Sequence, residues 1–139
     1  MTEQNTNGHI TQGAHHIGLT VRDLEQTRKF FVDALGYEQV GEVPDYPAAF
    51  VSDGVTLIAL WQAADPDNAV SFDRKNVIGL HHLALKVDTD SLDELSEKLK
   101  NTADVEIEFE PEQLGDMPVR HMMCNIPGGI RVEFLAPDA

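Results

Sequence analysis

Two histidines and a glutamate, His16, His82 and Glu133, are the side chains of this sequence best suited to hold an ion together. The histidines head a stretch that the chain uses twice. His15-His16-Ile17-Gly18-Leu19-Thr20-Val21 returns as His81-His82-Leu83-Ala84-Leu85-Lys86-Val87, 66 residues on (82 − 16). Strand-like alternation puts His16, Gly18 and Thr20 on one face and Ile17, Leu19 and Val21 on the other, and the second copy repeats the division. Near the C-terminus Glu133 stands opposite the apolar face of Ile130, Val132 and Phe134. A carboxylate in the middle of a short strand is costly unless it is solvated, paired or bound to a metal. Two neutral imidazole nitrogens and one anionic oxygen on one side of a cation leave its other positions open to a chelating substrate. That facial set belongs to non-haem Fe(II) sites and also suits Mn or Zn. The repeat carries this reading, because a repeat axis gives His16 and His82 matching positions. His15 and His81 fall on the packing faces and read as structural.

The elements that must position these residues follow from the pattern around them. Asp23 caps a helix with Gln26 as its capping-box partner, Leu24, Phe31 and Leu35 share a face, and Gly36 stops it. Strands are predicted over 38–43, 49–52 and 55–61, the last two joined by an Asp53-Gly54 turn. In the second half Asp90 or Ser91 caps a helix whose Leu92, Leu95 and Leu99 keep helical spacing. Val105, Ile107 and Phe109 alternate with glutamates as a strand with one wet face, 110–117 reads as a loop, and strands follow over 119–124 and 130–135. The expected organisation is a flexible N-terminal arm (1–13) and one domain (14–139), made of module one (14–61), a polar linker (62–79) and module two (80–136). Each module reads βαβββ, which gives an α+β fold.

Composition narrows the function. The 139 residues hold 24 acidic against 10 basic side chains, a net charge of −14, which disfavours nucleic acid and anionic membranes as partners. The excess is read as a solubilising surface or, more sharply, as a field that favours a cationic ligand. The single cysteine, Cys124, excludes an internal disulfide and fits a cytoplasmic location. No apolar run approaches the roughly 18–20 residues of a membrane helix, and the first 13 residues lack the apolar core of a signal peptide.

The chain resembles the vicinal oxygen chelate superfamily, which includes glyoxalase I, bleomycin-resistance proteins, fosfomycin-resistance enzymes, methylmalonyl-CoA epimerase and extradiol dioxygenases. The resemblance rests on His16-Ile-Gly-Leu-Thr-Val-x-Asp23-Leu24, Phe30-Phe31-x-x-Ala-Leu35-Gly36, His82-Leu-Ala-Leu-x-Val-Asp88 and Pro127-Gly-Gly129-Ile-Arg-Val-Glu133. It runs from about Ala14 to Ala136. It implies a cupped eight-stranded mixed sheet built from the two modules. It also implies a divalent metal, Fe²⁺ favoured over Mn²⁺, Zn²⁺ or Ni²⁺, on His16, His82 and Glu133. The superfamily hosts several chemistries on one scaffold, so the reaction is a separate question.

On strand four, Ala59 falls where a glyoxalase-type glutamate or epimerase-type glutamine would stand, and alanine neither ligates nor acts as a base. That argues against glyoxalase and epimerase chemistry and favours a dioxygenase-like reaction on vicinal oxygens of a small substrate. The tyrosine-containing extradiol signature is absent from the stretch that holds Met122 and Met123. Two rivals stand beside this reading. One is a Mn/Zn-dependent lyase or fosfomycin-type thiol transferase. The other is a metal-free protein that binds a cationic drug, as bleomycin-resistance proteins do. His121 shares a strand face with Val119 and Met123 beside the Glu133 strand, so it is the candidate acid or base. Thr20, Tyr46, Phe50, Trp61, Met123 and Arg131 are the candidate substrate contacts. Arg131 is read as an anion contact or an ion-pair partner. Short single-chain members of the superfamily imply a two-fold homodimer, module one of one chain facing module two of the other.

Overall fold

A computed structural model describes residues 8–137. The seven N-terminal residues of the expected arm lie outside the described part. Module one runs β1 (Ile17–Val21), α1 (Leu24–Lys29), β2 (Glu38–Val43), β3 (Ala48–Ser52) and β4 (Leu57–Gln62). Module two runs β5 (Leu83–Lys86), α2 (Leu92–Lys100), β6 (Glu106–Gln113), β7 (Arg120–Ile126) and β8 (Ile130–Ala136).

Local chemistry explains the elements. Asp23 accepts the Gln26 N–H and caps α1. The helix continues into one turn of π-helix over Phe30–Ala34, and Gly36 ends it at φ +79°, a left-handed conformation that glycine adopts without steric cost. Asp53 organises the β3–β4 turn by accepting from the N–H groups of Val55 and Thr56. Ser91 stands at the start of α2 without making a side-chain cap, and a 3₁₀ turn over Thr89–Ser91 leads in instead. Strand β6 extends to Gln113, through half of the stretch expected as loop.

The strands form two open four-stranded sheets, ordered β1-β4-β3-β2 and β5-β8-β7-β6. This corrects the expectation of one cupped eight-stranded sheet. In each module a parallel pair, β1–β4 or β5–β8, closes the strand order internally, and among the described residues no ladder joins the two sheets. The modules meet at other points. The Arg22 N–H donates to the Gly128 carbonyl at 3.2 Å. The buried Thr27 hydroxyl reaches the Pro127 carbonyl at 3.2 Å while also bonding Asp23 O at 2.8 Å. Arg22 also ties down the linker, through the carbonyls of Pro66 and Ala69 and the Ser71 hydroxyl.

One face of each sheet carries the core. Leu19, Val21, Val51, Ile58 and Leu60 join Phe31 in module one, and Met122, Cys124, Val132 and Phe134 join Leu92 and Leu99 in module two. Burying such side chains contributes about 1.5–3 kcal/mol each before the entropic cost. The opposite faces are left for other work.

Candidate functional site

Register reveals what the repeat does with those open faces. Gly18 pairs with Ala59 in module one, and Ala84 pairs with Glu133 in module two. Ala59 is therefore the module-one counterpart of Glu133. In the antiparallel ladders Phe50 stands opposite Ala59 as Met123 stands opposite Glu133, and Ala48 opposite Trp61 as His121 opposite Leu135. Equivalent positions have been filled with different chemistry: aromatic and small in module one, imidazole and carboxylate in module two.

The module-two face is centred on Glu133, which is 8% exposed. His82 Nε2 lies 3.2 Å from its Oε1 and His121 Nδ1 lies 2.5 Å from its Oε2. Phe109 leans on the His121 ring, with centroids 4.9 Å apart. Strand alternation had put Phe109 on the same face as Ile107. A register shift between them, two residues of β6 against one step of β7, turns Phe109 to the Met123 side. Nothing in the residue pattern marks that bulge.

The contacts extend beyond Glu133. His81 Nδ1 sits 3.3 Å from Arg131 Nη1 and 2.8 Å from His82 Nδ1. A guanidinium only donates, so Arg131 is the donor in the first of these. The contacts run from Arg131 to His81, from His81 to His82, and from His82 and His121 to the two oxygens of Glu133. His81, expected on the packing face, is exposed and belongs to this network. Arg131 proves to be an ion-pair partner, and its carboxylate is Glu108, gripped at 2.8 and 3.0 Å. That grip, reinforced by the charges of Arg131 and Arg74 and opposed by burial, holds the Glu108 carboxyl below the usual range.

His16 stands outside the network. It precedes β1 as His82 precedes β5, and its ring packs edge-on against His15, with Nδ1 atoms 2.9 Å apart. Among the described residues no group of three or more His, Cys, Asp or Glu side chains is placed to hold a metal ion. The metal site expected on His16, His82 and Glu133 is therefore not formed, and the Fe²⁺, Mn²⁺, Zn²⁺ or Ni²⁺ cofactor falls with it. So do the metal-dependent dioxygenase, lyase and thiol transferase readings. The physical reason is plain in the donors: repeat equivalence gives the histidines like positions in two modules without bringing them together, and each Glu133 oxygen is already held by an imidazole.

The module-one face gathers the expected aromatic contacts. Tyr46 and Trp61 have ring centroids 4.7 Å apart, and Phe50 meets Trp61 edge-on at 6.2 Å. Tyr46 is 57% exposed. Small residues lie beneath. A Cβ added at Gly41 would come within 3.1 Å of Phe50, and one at Gly18 within 3.8 Å of the Trp61 indole nitrogen. Thr20 opens into a cavity of about 450 Å³ that Arg131 also lines. Met123 is buried beside Glu133. The expected contacts thus divide into an aromatic group (Thr20, Tyr46, Phe50, Trp61) and a polar group (His82, His121, Met123, Arg131, Glu133), linked at the Thr20–Arg131 cavity. Glu108, Asn125 and Phe109 join the polar group unforeseen.

No helix of the described residues is long and apolar enough to cross a membrane.

Comparison with known proteins agrees with this architecture. The family described as "Glyoxalase/Bleomycin resistance protein/Dioxygenase superfamily" matches residues 15–113. The chain is 30% identical over 129 residues to the mitochondrial methylmalonyl-CoA epimerase of Bos taurus, covering 86% of this chain and 71% of that one. It is 27% identical over 143 residues to a 2-epi-5-epi-valiolone epimerase of Actinomyces sp., covering 87% and 77%. Among solved structures, a glyoxylase/bleomycin resistance protein/dioxygenase domain from Frankia sp. EAN1pec superposes with a TM-score of 0.76 at 23% identity, covering 91% of this chain and 93% of that one. The genomically encoded fosfomycin resistance protein of Listeria monocytogenes gives 0.71 at 19%, covering 91% and 94%. With the repeat, the strand order and the family match in agreement, the chain belongs to the glyoxalase/bleomycin resistance protein/dioxygenase superfamily.

Proposed function

We propose that this protein is a metal-free small-molecule binder that takes a cationic, aromatic ligand on the Tyr46–Trp61–Phe50 face. The observation that carries the reading is the aromatic cluster itself, with Tyr46 more than half exposed over a floor of small residues. A cation above such rings gains about 0.5–2 kcal/mol, and a net charge of −14 raises the local concentration of cations. We propose a two-fold homodimer as the assembly of this binder. The cytoplasm is the compartment this reading assumes.

Trp61 is the single tryptophan, so its emission reports the site directly. Titrating chelator-treated protein with a bleomycin-type glycopeptide should quench that emission saturably, and Tyr46→Ala should weaken binding about threefold to tenfold. No saturable quenching and no heat by calorimetry would end this reading.

A further inference from the structure

The helix-bearing side of the molecule, opposite the face just described, holds a cavity of about 490 Å³ at the junction of the modules. Its size lies within the range of small-molecule sites, about 300–1,000 Å³. Its walls come from both halves of the chain: Ala34 and Leu35 at the end of the first helical segment, Leu85 and Val87 at the end of β5, and Leu95 on α2. Each of these five packs against the core yet stays only half-buried, so apolar surface is left wet at this junction of the modules. Removing such surface from water is favourable.

The polar groups at this cavity are unequal. Asp53 is committed, since it accepts from Val55, Thr56 and the buried Tyr37 hydroxyl. Glu94 is exposed one turn before Lys98. Lys86 and Lys98 both line the cavity, and neither makes an ion pair among the described residues. With Asp53 committed to its turn, two ammonium groups without ion pairs stand beside the apolar slot.

We propose that this inter-module cavity is a second ligand site, for a small amphipathic carboxylate. Its apolar tail lies among Leu35, Leu85, Val87 and Leu95, and its carboxylate sits between Lys86 and Lys98. Occupancy there closes the module junction, so the ligand also stabilises the fold. The site is independent of the aromatic face and of the Glu133 network, and the fate of the aromatic-face reading does not touch it.

Octanoate is the probe, with 1-octanol as its neutral analogue. Octanoate should shift the amide signals of Leu85, Val87 and Leu95 saturably at millimolar concentration and raise the melting temperature. Lys86→Gln with Lys98→Gln should weaken it about fivefold or more, a loss that added salt reproduces in the unsubstituted protein. Leu95→Ala should weaken octanoate and octanol alike. Octanol binding as tightly as octanoate, unchanged affinity in the double lysine variant, or the absence of saturable shifts at these residues would each overturn the proposal.

Discussion

Replacing Gly128 with Ala tests the joint between the modules. Gly128 has φ +105°, and an added Cβ would stand 2.3 Å from the Thr27 hydroxyl oxygen and 3.2 Å from Val21 Cβ. Two costs follow. Holding an L-residue in this conformation costs about 1–2 kcal/mol. Clearing the clash requires Thr27 to leave its bonds to Asp23 O and Pro127 O, each worth about 0.5–1.5 kcal/mol. The sum is about 2–5 kcal/mol, a large share of the roughly 5–15 kcal/mol that holds a domain together. At a urea m-value of about 2 kcal/mol/M the midpoint should fall by about 1–2.5 M. Gly129 is the internal control. Its φ is +91°, but nothing lies within 4 Å of an added Cβ. Gly129→Ala should therefore show the backbone cost alone. Adding Thr27→Ala to each variant completes the cycle, and coupling should appear with Gly128 only. Equal midpoints for the two glycine variants would refute the reasoning, because the contact across the joint would then contribute nothing.

Two further outcomes follow from ionisable groups. Glu108 has its carboxyl held below its ordinary value of 4.5 by the Arg131 bond. Its contribution to stability is fully present above that value and is lost as pH falls through the lower folded one. Glu108→Gln should thus be less stable than the parent at neutral pH and match it in strong acid; a deficit that stays constant across both urea titrations would contradict the assignment. Cys124 is 0% exposed, and burial, aided by the Glu108 charge, pushes its thiol up to about 12. A thiol reagent should label it only after unfolding, and rapid labelling of the native protein would show the β7 strand to be open.

The sequence made some layers of this structure readable and hid others for definite reasons. The Asp23 cap, the Gly36 stop and the 66-residue repeat are local or periodic signals, and each appears where the residues place it. The family resemblance put Ala59 at the strand-four ligand position, and the register adds that it stands opposite Gly18 as Glu133 stands opposite Ala84. Sheet closure was not. It depends on how two modules dock, and that is decided by a handful of groups around Gly128, Thr27 and Arg22 with no periodic signature. The same gap undid the metal reading: alternation tells which face His16 and His82 occupy, not whether the two faces meet. The β6 bulge, which moves Phe109 to His121, is a change of one residue in count and leaves composition and spacing untouched.

The strand order has one more consequence. It leaves four edge strands, β1 and β2 in one sheet and β5 and β6 in the other, each presenting unpaired backbone groups that invite a strand from another molecule. β2 carries Glu38 and Glu42, and β6 carries Glu106, Glu108, Glu110 and Glu112 together with Pro111, which has no N–H to offer. Six of the 24 acidic side chains thus lie along two of these four rims. Like charges on approaching edges repel, so the glutamates of β2 and β6 disfavour pairing of those edges with one another, and the repulsion fades in acid, where the carboxylates are neutralised.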